Sequence, residues 1–211
     1  MQITSTPILA RGLVPRTINP CFAILTFLTT AVLVALIVAR YAAHHWQGDV
    51  HDAGLGFAGL TAVYTSLMLY FDGFTSHTIR GVLLCLILLT ASYSDLKSRK
   101  ADDYLSVMVL LTAFVGCTLA QLPGMLLGGI FTGGLMLTVS LLGKESCIGG
   151  ADIKLGSACS FALGISRGIT GLMLGLILAI VINFCRGKNT RNRSFPMVPY
   201  LSAGFLAAYL I

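Results

Sequence analysis

Of 211 residues, 56% are hydrophobic and only 10% are charged, and the mean hydropathy is +0.87. Soluble domains average roughly 25% charged residues, so the composition excludes an ordinary water-soluble globule and points to a polytopic membrane protein. The net charge of +6 does not call for nucleic acid, because cytoplasmic loops of membrane proteins collect Lys and Arg.

The chain begins with Arg11 and Arg16 ahead of an uncharged run, Cys21–Ala39. That run exceeds the roughly 7–15 residues of a signal-peptide core, so a retained helix is expected. A polar stretch, "YAAHHWQGDVHD", follows. His44, His45, Asp49, His51 and Asp52 are metal-competent types, but their spacing matches no helical ligand pair. They read as a solvated loop with Trp46 anchored at the interface. Ala53–Phe71 is the second uncharged run. Gly81–Ser94 is the third, extended outward through Ile79 and Arg80, whose long stem can snorkel. Tyr104–Gly143 carries no charge and is too long for one crossing; Pro123-Gly124 is the expected break. Leu155–Ser166 is short, and Gly168–Cys185 and Ser194–Ile211 complete eight segments. The expected fold is all-α, with about eight transmembrane helices. Two parts are expected: residues 1–77, a helix pair joined by the His-rich loop, and residues 78–211, a six-helix core.

Several smaller features read as structural. Cys21, Cys85, Cys117, Cys147, Cys159 and Cys185 form no CxxC pair and look like small apolar residues, not a disulfide framework or zinc site. Gly116, Gly124, Gly128, Gly129, Gly133 and Gly134 are expected to let helices approach closely. The basic tract Arg186–Arg193 reads as a topology determinant that can also meet anionic lipid.

With eight crossings, the loops near 40–52, 95–103, 143–154 and 185–195 share one side. They hold ten of the 14 basic residues: Arg40, Lys97, Arg99, Lys100, Lys144, Lys154, Arg186, Lys188, Arg191 and Arg193. The positive-inside rule puts that side in the cytoplasm.

This topology brings two carboxylates to one face. Asp95 sits in "SYSDLKSRKADDYLSV", and Asp152 lies 57 residues further on in "CIGGADIKL". Two segments separate them, so the chain leaves and returns. Two carboxylates that meet can share one proton: the ionised one takes a proton from water while its protonated partner polarises a peptide carbonyl. Taken singly, each aspartate reads as readily as an interfacial residue paired with Lys97 or Lys154, and Asp152 also as a helix cap.

The local sequences carry a further signal. "SDLKSRKADDYL" resembles the first-aspartate motif of type IV prepilin peptidases, and "GGADIKL" is similar to their second, GxGD-type motif. "FPMVPYLSAG" resembles the lead-in to their final helix, and order and spacing agree over residues 78–211. The resemblance implies an intramembrane aspartyl peptidase of a bacterial inner membrane, with its site facing the cytoplasm. Its partners would be a prepilin or pseudopilin substrate and membrane lipid, with no nucleic acid. Asp95 and Asp152 fall on the catalytic aspartates, with Gly149, Gly150 and Lys154 as motif support. No metal or cofactor is implied for cleavage.

This sequence departs from the pattern at Ala151, where the motif has its second glycine, and at "ADD", residues 101–103. Asp102 and Asp103 read as solvated loop charges. The cysteine-rich cytoplasmic domain of large relatives has no counterpart after the first helix, so cleavage without N-methylation of the product is expected. A different class also fits the composition: a small proton- or cation-coupled transporter or membrane scaffold using the same aspartates. The sequence shows no internal repeat of the kind common in transporters.

Overall fold

The computed structural model describes residues 20–45, 50–98, 102–142, 149–185 and 196–211. Arg11, Arg16, Trp46, Asp49, Arg99, Lys100, Lys144, Cys147 and the tract Arg186–Arg193 lie outside the described residues, as do the side chains of Cys21, His51 and Asp52. Among those described, 91% are helical and there is no strand. Eight α-helices follow in order: α1 Pro20–His45, α2 Val50–Phe71, α3 Ser76–Ser98, α4 Asp103–Ala113, α5 Leu122–Leu142, α6 Gly150–Leu163, α7 Ile165–Cys185 and α8 Val198–Leu210. Each expected segment is present. Five are long and apolar enough to cross a membrane, namely α1, α2, α3, α5 and α7, so the chain is a multi-pass membrane protein. The other three, α4, α6 and α8, have 11, 14 and 13 residues. At 1.5 Å per residue they measure about 16–21 Å, short of the roughly 30 Å hydrocarbon layer.

The chain divides into two compact units, Met1–Leu86 and Ile87–Ile211, with the boundary inside α3. In the first, Ala31, Ala35, Ala39 and Ala42 make a buried small-residue stripe along α1. Ala31 and Ala35 pack with Val82 and Leu86 of α3, and Phe27 joins them. The α2–α3 turn uses Gly73 at φ 63, where a side chain would be strained. Thr78 Oγ1 donates to the Gly73 carbonyl at 2.6 Å and closes the turn. Arg80 is buried, on an i, i+4 helix face with the buried Leu84 and Leu88.

In the second unit the break between α4 and α5 does not fall at Pro123-Gly124. The chain turns at Gly116, φ 68, and passes through a single 3₁₀ turn, Leu119–Gln121. Pro123 lies inside the first turn of α5, where a missing N–H leaves no helical bond unmade. Two glycine seams hold the unit. Gly128, Gly129 and Gly133 of α5 lie against Ser160, Phe161 and Ser157 of α6, and Ser157 Oγ donates to the Gly129 carbonyl at 2.9 Å. Gly171 and Gly175 of α7 lie against Gly204 and Phe205 of α8. Such close backbone approach is how helices gain dispersion contacts in lipid, where apolar burial gives no net drive. The expectation for the glycines therefore holds for three of six: Gly124 and Gly134 face open space, and Gly116 makes the turn.

Candidate active site

Asp95 lies one turn before the end of α3 and is 8% exposed. Its Oδ2 accepts the backbone N–H of Val198 at 3.2 Å, and the amide of Met197 also donates to the carboxylate. Met197 and Val198 are the N-cap and first residue of α8. The first N–H groups of any helix lack an intrahelical acceptor. Here two of them find a buried carboxylate, so two groups that would be costly to bury alone satisfy each other. Pro199, in the first turn of α8, has no N–H to leave unpaired.

Asp152 sits in the first turn of α6, ahead of the apolar run that starts at Leu155. Gly149 is the N-cap, with extended backbone at φ −65, ψ 142, and its carbonyl accepts the N–H groups of Asp152 and Ile153 at 3.0 and 3.2 Å. The Asp152 carboxylate turns back and accepts the Gly149 amide. This is the return half of a capping box, made by an aspartate at the third helical position. Asp152 is therefore not the N-cap that its sequence position allows. A methyl group on Gly149 would stand 3.2 Å from Asp152 Oδ2, whereas Gly150 has nothing within 4 Å of the corresponding position.

Burial first, and the negative charge of Asp95 second, push the Asp152 carboxyl up to about 6 against the opposing Gly149 amide. The two carboxylates are thus within electrostatic reach of one another inside one compact unit. Two like charges sharing a partly desolvated space raise the affinity for one proton between them.

The alternative partners do not hold. Lys154 Nζ binds Asp103 Oδ2 at 2.8 Å, with side chains 58% and 68% exposed, and so bridges the first turns of α6 and α4. Asp103 is therefore an exposed, ion-paired helix residue and not a free loop charge. Asp102 is the N-cap position of α4, although its side chain makes no capping bond. Lys97 is exposed, and no ion pair joins it to Asp95 among the described residues. His44 and His45 end α1 exposed, and no metal-holding group of three His, Cys, Asp or Glu occurs among the described residues.

Sequence reasoning found both aspartates and Gly149 but not the contact of the α8 start with Asp95. The only signal was the proline punctuation of "FPMVPYL".

No curated protein and no solved structure significantly matches the chain. The model of the type IV leader peptidase family matches residues 82–185, about half of the chain and including both Asp95 and Asp152. Through this segment the chain belongs to the type IV leader peptidase family.

Proposed function

We propose that this membrane peptidase is an aspartyl endopeptidase that removes the short basic leader of a type IV prepilin or pilin-like protein at the cytoplasmic face. The observation that carries the reading is the electrostatic influence of Asp95 on Asp152 within the segment that matches the family.

The chemistry follows from that pair. In the resting state one proton is shared, and the pair titrates as a unit. An ionised carboxylate removes a proton from water as the water oxygen attacks the scissile carbonyl carbon. The protonated partner gives its proton to the carbonyl oxygen, and a neutral tetrahedral diol forms. Collapse of the diol breaks the C–N bond; one carboxyl protonates the departing nitrogen while the other takes a hydroxyl proton, which restores the shared proton. The fixed amides around both carboxylates, from Gly149 on one and from Met197 and Val198 on the other, limit reorganisation during these transfers.

The short helices α4, α6 and α8 all begin near this pair. The Lys154–Asp103 bridge ties the starts of α4 and α6, and Asp95 ties the start of α8. The ten-residue basic set expected on the loops of one side supports a cytoplasmic position for this end under the positive-inside rule.

The test is purified full-length protein in liposomes with a reporter that carries a basic leader, Gly at the cleavage point and an apolar helix after it. Cleavage at that point by the natural sequence, and none by Asp95→Asn or Asp152→Asn, is expected. Cleavage by either variant at the natural rate would refute the assignment.

A further inference from the structure

Helix α8 lies beyond the segment that matches the family and contributes no side chain to the chemistry above. It nevertheless touches α3 at two successive turns. At the first, the amides of Met197 and Val198 hold the Asp95 carboxylate. At the second, Ser92 Oγ, one turn before Asp95, lies within hydrogen-bond distance of Ser202 Oγ, 3.1 Å away and one turn beyond Val198. Ser92 also lies 2.7 Å from the Leu88 carbonyl, and Ser202 Oγ lies 3.5 Å from the same oxygen. The two contacts are in register for antiparallel helices. The opposite face of α8 is fixed as well, because Gly204 seats directly against the backbone of Gly171 and Gly175 in α7. Neither rotation nor sliding of α8 is open without breaking one of these.

We propose that α8 is the positioning element for Asp95. In this proposal the Met197–Val198 amides aim the carboxylate, and the Ser92–Ser202 hydroxyl pair keeps those amides in register. The proposal rests on the aspartyl peptidase reading. Neither serine touches the reacting atoms; each acts through the place it gives the α8 amides.

Without a partner, the Asp95 carboxylate on α3 would have its χ1 and χ2 rotors restrained only by packing. Two amide donors from one rigid helix turn restrict it to one orientation. A hydrogen bond to a charged group is about twice as strong as a neutral one, and misplacing a reacting group by 1 Å can reduce a rate on the order of a hundredfold.

The experiment replaces single backbone amides by esters, using α-hydroxy acid analogues in cell-free synthesis into liposomes, with the basic-leader reporter as probe. An ester at Val198 removes the N–H to Asp95 and leaves the side chain unchanged. An ester at Leu201 is the control, since its N–H donates only within the helix, to the Met197 carbonyl at 3.2 Å. The Val198 ester is expected to lower kcat by about ten- to a hundredfold with KM within about twofold, and the Leu201 ester by less than about threefold. Ser202→Ala should lower kcat severalfold, and Ser202→Thr, which keeps the hydroxyl, should recover it. Equal losses from the two esters would mean that α8 is merely weakened, and an unchanged kcat in the Val198 ester would mean that Asp95 is placed by other groups; both overturn the proposal. An unchanged Ser202→Ala variant overturns the register role of the hydroxyl pair. If the natural sequence itself fails to cleave the reporter, the peptidase reading falls first and this proposal with it; if it cleaves and the esters do not discriminate, only this proposal falls.

Discussion

Replacing Gly149 by alanine probes the tightest point of the site. The backbone there, φ −65 and ψ 142, is open to any residue, so the change introduces no backbone strain. What it introduces is a methyl group 3.2 Å from Asp152 Oδ2 and 3.8 Å from its Cγ. Comfortable separations of such atoms start at about 3.5 Å, so the carboxylate must yield by a few tenths of an ångström. Its bond to the Gly149 amide lengthens or bends as it does. If 1 Å of misplacement reduces a rate on the order of a hundredfold, a few tenths should lower kcat about three- to tenfold. Alanine is also a poorer N-cap than glycine, at about 0.5–1 kcal/mol of helix stability, which is too little to prevent insertion of a protein of this size. Gly150→Ala is the matched control. Its methyl meets nothing within 4 Å and adds helix propensity of about 1 kcal/mol, so activity should stay within twofold. The assay is initial rate against reporter concentration in liposomes, with protein amount set by quantitative blotting. An alanine at 149 that cleaves at the natural rate, or an alanine at 150 that loses as much, would refute the steric account of this glycine.

Other outcomes follow from the same geometry. The Asp152 carboxyl is raised from 3.8 to about 6, so the folded chain holds a proton there that the unfolded chain has released. That contribution to stability is complete below about 3.8 and is lost as pH rises through about 6; thermal melts should therefore show Asp152→Asn more stable than the natural protein at pH 7.5 and indistinguishable at pH 4. Asp102→Ala and Asp103→Ala should each retain more than half of the cleavage rate, because the Lys154–Asp103 pair is largely exposed and such pairs contribute about 0–1 kcal/mol. Ala151→Gly, at the second position of α6, should cleave normally or slightly faster, and a complete loss would mean that its methyl is needed for packing. Reporter fusions after Arg99, Lys144 and Arg191 should read cytoplasmic; opposite readings at 99 and 144 would separate the two aspartates and remove the mechanism.

Hydropathy and proline punctuation together anticipated the number and order of the helices, because a segment that satisfies its own backbone in lipid declares itself as an uncharged run; that α4, α6 and α8 are too short to span came only from the structure. They also led to the expectation that Asp95 and Asp152 share one face; the structure brings the two carboxylates within electrostatic reach, although α4 between them is too short to cross the hydrocarbon layer. Local pattern reached as far as Gly149, whose contacts as the N-cap of α6 lie within four residues of chain. It reached less far where several residues compete for one role. Pro123-Gly124 reads as a break, yet proline fits a first helical turn, and the positive φ at Gly116 made the turn instead. Lys154 lies two residues from Asp152 in sequence, but residues two apart on a helix point to different sides, and its ammonium reaches Asp103 on α4. Of the six glycines marked for helix contact, only packing could select Gly128, Gly129 and Gly133, because the neighbouring helix and not the glycine decides which face is covered. The contact that holds Asp95 spans 103 residues and is made by backbone amides. Every residue except proline carries such an amide, so no side-chain pattern could mark Met197 and Val198 as its partners; only the meeting of the end of α3 with the start of α8 does so.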